Sequence, residues 1–159
     1  MELRTATLAD VERVKEIRHA AFSEHAPSAY SPQQVENILD GLDEPELVDM
    51  VERGLLFVAV IDSEICGTAG WLDGNVRHVY VAPELTRTGI GSALLAHVEQ
   101  DFVDRNGARE VRLGAVAYAR GFYEANGYQV RRVETYSDGG TSFLMSKMLP
   151  GSPPRTAST

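Results

Sequence analysis

The chain has 159 residues, 43% of them hydrophobic and 24% charged, and a formal net charge of −8 from 15 Lys+Arg against 23 Asp+Glu. That length suits one domain with a real core, and the acidic balance excludes the basic footprint of a nucleic-acid binder. A single cysteine, Cys66, excludes an intrachain disulfide; between apolar neighbours in "EICGTAGWL" it reads as buried filler.

The N-terminal "MELRTATLAD" has no long apolar stretch, so no signal peptide is expected. The longest apolar run, residues 55–61, is far too short to span a bilayer. A cytoplasmic protein with no membrane partner is the expectation. Residues 2–7 alternate and predict a first strand. Thr7 and Asp10 form a T-x-x-D cap, and Val11, Val14, Ile17, Ala21 and Phe22 follow at helical spacing, predicting a helix over 9–22. "SEHAPSAY" predicts a loop. Ser31, Pro32 and Gln34 supply a cap, a first-turn proline and a return glutamine, predicting a helix over 32–40. Another covers 44–53 and is closed by Gly54.

The period then changes. Residues 55–61, 64–72 and 75–82 read as strands, joined by Asp62-Ser63 and Asp73-Gly74, short turns that suit antiparallel hairpins. A helix over 89–106 buries Ile90, Leu94, Leu95, Val98 and Phe102 and stops at Gly107. Residues 109–117 predict a strand and "RGFYEAN" a short helix stopped by Gly127. "YQVRRVETY" and "TSFLMSKML" predict a last hairpin around residues 138–140, and 150–159 read as a disordered tail. The order predicts one α+β domain, residues 1–149, with a mixed, mostly antiparallel central sheet of about seven strands flanked by helices.

"VAPELTRTGIGSALL" places Gly89 and Gly91 between a strand and a helix. Amides at a helix start lack intrahelical partners and carry partial positive charge, so a phosphate is a natural guest there. Glycine lets the backbone approach it, Thr88 and Ser92 offer hydroxyls, and Arg87 offers charge. Leu94 stands where a dinucleotide fingerprint needs glycine, and no lysine follows the glycines as a Walker A loop requires. Taken alone, the stretch is equally compatible with a tight connection.

"HVYVAPELTRTGIGSALL" resembles the acetyl-CoA loop of the GNAT N-acetyltransferase superfamily, and "ARGFYEANGYQV" resembles that superfamily's second signature. With the element order, the resemblance covers residues 1–149; "YSPQQV" and "SDGG" look like a bacterial branch of small acetyltransferases. It implies that the backbone of Val79, Tyr80 and Val81 pairs with the pantetheine arm. It also implies that the amides of Arg87, Thr88, Gly89, Ile90, Gly91 and Ser92 hold the pyrophosphate. The strands ending at Val81 and Ala115 would splay to admit the thioester, with an amide at or beside Val79 polarising its carbonyl. Thr86 departs from the usual Gln/Arg that opens the loop, which predicts weaker cofactor affinity.

The resemblance makes Tyr123 the candidate acid for the departing sulfur, with Phe122 and Tyr128 as core packing. The base is not named by any motif. Gly114 stands where relatives of this branch often carry an acid; His78, Glu24 and His25 are candidates, as is a water chain. Glu24, His25 and Tyr30 are placed at the acceptor side, with Trp71 and Tyr136 as further lining candidates, while His19 and His97 read as surface residues. No metal-ligand spacing is present, so no metal is expected. The expected function is N-acetyl transfer from acetyl-CoA to an amine of a small molecule or peptide by direct attack in a ternary complex. The alternatives are an acyl-CoA-binding regulatory module with little turnover, or a nucleotide binder, which has no use for "FYEANGY". Dimers are frequent in the superfamily, so a homodimer is a possible assembly by that analogy.

Overall fold

The computed structural model describes residues 1–25, 30–137 and 139–150. Strand β1 (Glu2–Thr5) leads into a single 3₁₀ turn, where the Asp10 carboxylate accepts from the Thr7 amide at 2.8 Å and from Arg4 at 2.7 Å. Helix α1 (Val11–His25) follows, then α2 (Pro32–Asp40) and α3 (Glu44–Glu52). The cap on α2 is as its sequence predicts: Ser31 accepts from the Gln34 amide at 3.2 Å and Gln34 accepts in return at 2.8 Å. Helix α1 runs on through Ser23, Glu24 and His25, which the sequence had assigned to a loop. No glycine or proline interrupts the chain before Pro27, so nothing stops the helix at Phe22.

Strands β2 (Leu56–Ile61), β3 (Glu64–Leu72) and β4 (Asn75–Val81) form the expected meander. Both connecting dipeptides take positive φ at both residues, 50° and 66° at Asp62-Ser63 and 51° and 78° at Asp73-Gly74. That is the twist a two-residue hairpin requires. Helix α4 (Ile90–Asn106), β5 (Glu110–Ala115), α5 (Arg120–Ala125), β6 (Gln129–Thr135) and β7 (Thr141–Met148) complete the chain. Strand β5 is thus shorter at both ends than the predicted 109–117. Asp138 and residues 151–159, where the last turn and the tail were expected, lie outside the described residues.

The seven strands form one sheet in the order β1-β2-β3-β4-β5-β7-β6, antiparallel throughout except between β4 and β5. Two glycines of β3 set the layers. A Cβ at Gly67 would sit 2.9 Å from Leu94 of α4, and one at Gly70 would sit 2.7 Å from Met50 of α3. Residues three apart on a strand point to opposite faces, so α4 covers one face and α3 the other. Leu94, Leu95, Val98 and Phe102 of α4, and Leu47 and Met50 of α3, are buried in that core. Cys66 is buried there too, donating to the Ala59 carbonyl, and burial pushes its thiol pKa up.

Candidate active site

Two irregularities of β4 make a site. The first is its seam with β5. The pair is bridged at one position, Asn75 with Arg112, where the Arg112 amide donates to the Gly74 carbonyl at 3.0 Å. Beyond it the strands part, and a cleft of about 800 Å³ opens between residues 76–81 of β4 and residues 114–118. The second is a bulge. Thr68 pairs with Tyr80 and Gly70 with Arg77, so β4 carries one residue more than β3 between the two pairs. The extra residue is absorbed at His78, whose φ is +58°. A bulge of this kind re-aims side chains and backbone locally. Here it brings His78, a candidate base from the sequence, into the cleft.

The glycine loop lies at one end of the cleft. Gly89 caps α4 at φ +88°, and Arg87 before it is left-handed too, at +66°. The first amide of α4 to find an acceptor is that of Ala93, on Gly89, at 3.0 Å; among the described residues none of the amides of residues 87–92 makes a backbone hydrogen bond. Six amides without a backbone acceptor and the positive end of a 17-residue helix therefore lie at this turn. Arg87, Gly89, Gly91 and Ser92 line the cleft. Thr88 and Ile90 offer only their backbone. The Thr88 hydroxyl donates to the Leu85 carbonyl instead of pointing at a guest, and Ile90 is buried. Gly91 has a packing reason: a Cβ there would meet the Phe122 ring at 3.2 Å. Phe122, expected in the core, is half-buried and lines the cleft. Tyr128 is in the core, its hydroxyl 2.8 Å from Glu99, which also accepts from Lys147 at 3.0 Å.

Tyr123 lines the cleft and is otherwise buried, its ring 5.1 Å from Phe122 and 5.8 Å from Tyr128. Burial raises its pKa well above the ordinary tyrosine value, so the hydroxyl stays protonated at neutral pH. Nearby Tyr118 is pushed up to about 12 for the same reason.

His78 Nε2 lies 3.3 Å from Glu46 Oε1 of α3, and an Arg77 guanidinium nitrogen lies 3.5 Å from Glu46 Oε2. His78 is only 9% exposed. Burial lowers its pKa; Glu46 opposes this, and the charges of Arg18 and Arg77 add to it. The imidazole is therefore neutral at pH 7. Nothing in the local sequence singled out Glu46, which reaches His78 from 32 residues away.

The acceptor-side expectations divide. Tyr30 is half-buried with its ring 5.7 Å from Phe22, which lines the cleft. Glu24 is an exposed residue of α1 and does not line the cleft, and the side chain of His25 lies outside the described residues. Trp71 is no cleft residue. It is buried against α4, edge-on to Phe102 at 5.2 Å, donating to Asp101 at 2.8 Å. Tyr136 is 53% exposed and also outside the cleft. His97 is half-buried against the Phe57 ring at 4.6 Å, not a plain surface residue.

Residues 26–149 match the acetyltransferase (GNAT) domain family. The chain belongs to that family. This GNAT acetyltransferase is 26% identical over 148 residues to the uncharacterized N-acetyltransferase YafP of Escherichia coli K12, covering 91% of this chain and 94% of YafP. Its fold is shared with a GCN5-related N-acetyltransferase of Rhodopseudomonas palustris, at TM-score 0.81 and 21% identity over 93% of this chain and 95% of that one. It is shared as well with the PaiA N-acetyltransferase of Thermoplasma acidophilum, solved with coenzyme A, at TM-score 0.73 and 23% identity over 92% and 98%. Among the described residues no helix is long and apolar enough to cross a membrane.

Proposed function

We propose that this GNAT acetyltransferase uses acetyl-CoA to acetylate an amine of a small molecule or peptide, by direct attack within a ternary complex formed in the cytoplasm, and that residues 1–149 are the catalytic domain. The observation that carries the reading is the alignment of two unsatisfied backbone arrays along one cleft. The free amides of residues 87–92 lead into the unpaired β4 edge at residues 76–81. One array suits a diphosphate; the other suits a chain of amides adding as a strand. The coenzyme A found in the PaiA structure agrees with both.

Acetyl-CoA supplies an activated acetyl group as its thioester. The loop amides and Arg87 hold the diphosphate, and the backbone of Val79, Tyr80 and Val81 orients the arm. The left-handed residue His78 interrupts the regular ladder just before Val79, whose amide is the donor assigned to the thioester oxygen as charge grows there. With Nε2–H donated to Glu46, the His78 lone pair lies on Nδ1 and takes a proton from the substrate ammonium. The freed nitrogen pair forms the C–N bond as the C–S bond breaks. Tyr123 gives its hydroxyl proton to the sulfur. The second proton of the amine nitrogen restores the Tyr123 phenol, and His78 releases its own to solvent. Ammonium plus thioester thus give amide, thiol and one proton.

The alternative of a regulatory acyl-CoA binder drew its support from the missing strand acid and from Thr86 at the opening of the loop. The Glu46–His78 pair stands in place of that acid and favours turnover. Acetyl-CoA should stabilise the protein in a thermal melt where ATP does not, and free thiol should appear when an amine panel is supplied. A melt unmoved by acetyl-CoA would overturn the cofactor; stabilisation without thiol release from any amine would favour the regulatory reading.

A further inference from the structure

We infer that the acceptor amine also carries a carboxylate, and that Arg77 and Arg18 bind it at the end of the cleft away from the glycine loop. The inference rests on the acetyl-transfer reading of the same cleft. Although the chain is acidic, with 23 Asp+Glu against 15 Lys+Arg, the charged groups lining the cleft among the described residues are Arg18, Arg77 and Arg87, and none is a carboxylate. Arg87 stands with the glycine loop. Arg77 lies two residues from the Asn75–Arg112 bridge, where the seam closes, and Arg18 acts on the same His78 as Arg77; Phe22, Ile38 and Tyr118 also line the cleft.

Neither charge is fully compensated. Arg18 donates to the Ile38 carbonyl at 2.6 Å and the Leu39 carbonyl at 3.1 Å, which fixes its position at the end of α2 but leaves its charge in place. No carboxylate among the described residues pairs with it. Arg77 has one carboxylate at 3.5 Å, Glu46, and shares it with His78. Its Nε is buried and has no hydrogen-bond partner. A second, smaller cavity of about 350 Å³ continues past Arg77 to Glu46, Asn75 and Gly114, so there is room beside the guanidinium for a ligand group. The local sum is therefore two guanidinium charges against one carboxylate, in walls partly closed to water. A carboxylate completes it, and the fork of a guanidinium matches a carboxylate's two oxygens.

The same charges select against the commonest alternative acceptors. A polyamine brings further positive charge to a cationic wall. A zwitterion brings the missing negative charge. The Phe22 and Tyr118 rings supply an apolar wall for the body of such a molecule.

The test uses three probes of similar size that lack one group or the other: 3-phenylpropionate, 3-phenylpropanamide and phenethylamine, titrated calorimetrically into the full chain saturated with CoA. The carboxylate should bind at least about 10-fold more tightly than the amide or the amine. Arg77→Gln and Arg18→Gln should each collapse that ratio; because the ratio is taken within one variant, any general damage to the cleft cancels. Equal binding of the three probes, tighter binding of the amine, no binding of any to a chain that binds CoA, or a ratio preserved in both variants overturns the inference and leaves the acetyl-CoA reading standing. A chain that fails to bind CoA overturns both.

Discussion

Gly89→Val isolates the backbone contribution of the loop. Gly89 holds φ +88°, and a Cβ built there meets nothing within 4 Å. The substitution therefore creates no clash, and its direct cost is the strain of a branched residue in the left-handed region, about 1–2 kcal/mol. In a chain of this length that lowers Tm by about 2–8 °C. The Val side chain relieves the strain by rotating φ, which re-aims the amides on either side. Each hydrogen bond to a charged diphosphate is worth about 1.5–3 kcal/mol. Losing two weakens CoA binding by about 10²- to 10⁴-fold. Calorimetric titration with CoA and a thermal melt on the same sample read both effects. Parental CoA affinity together with a lowered Tm would refute the role of these amides, because strain would then be present without functional consequence. Gly91→Ala is the internal contrast: its Cβ presses on the Phe122 ring at 3.2 Å, a side-chain conflict that leaves the amides of residues 87–89 as before.

Tyr123→Phe should lower kcat by about 10²-fold while CoA affinity stays near parental; a variant as fast as the parent in a thiol-release assay removes Tyr123 from the chemistry. Activity should require neutral His78, so kcat/KM should rise with pH through an ionisation below the ordinary histidine value of about 6.5 and level off above it. The groups that set it are Glu46 on α3, Arg77 on β4 and Arg18 on α1. Glu46→Gln removes the only one that favours protonation and should move the profile further to acid, whereas an unmoved profile means that His78 is not the titrating base. Glu99→Leu strips the partner from the Tyr128 hydroxyl and the Lys147 ammonium; with Lys147 24% exposed and able to reach water, the loss should be at the low end for a buried pair, about 3 kcal/mol. A urea titration measures it, and a loss under ~1 kcal/mol means that the cluster does not tie α4 to β7.

Elements bounded by local chemistry were legible in the sequence. The Ser31–Gln34 cap fixed α2 to the residue, and two turn dipeptides fixed the β2–β3–β4 meander. Where local signals were silent the expectation failed: α1 has no stop signal before Pro27 and so overran its predicted end. Trp71 was misplaced because residue type does not tell which sheet face meets solvent, core or cleft; its parity with Gly67 puts it against α4. The turn that opens α4 was legible, since Gly89 and Gly91 mark it and Gly89 takes the left-handed conformation there. The site was not legible where side chains converge. The His78 bulge sits inside an unremarkable strand pattern, and Glu46 meets it only after α3 has packed on the sheet. The insertion of β7 between β5 and β6 likewise follows from the fold and not from any local motif.

The single bridge between β4 and β5 divides the sheet like an open book, with four strands on one page and three on the other. Packing through α4 and the Glu99–Lys147 contact bind the spine where main-chain pairing is thin. Deuterium uptake in the free protein should therefore be fastest along the inner margins of the two pages, and an occupied cleft should slow it there first. On the proposed reading the guest is a bookbinder's thread, supplying across the seam the main-chain bonds that the two pages do not make with each other.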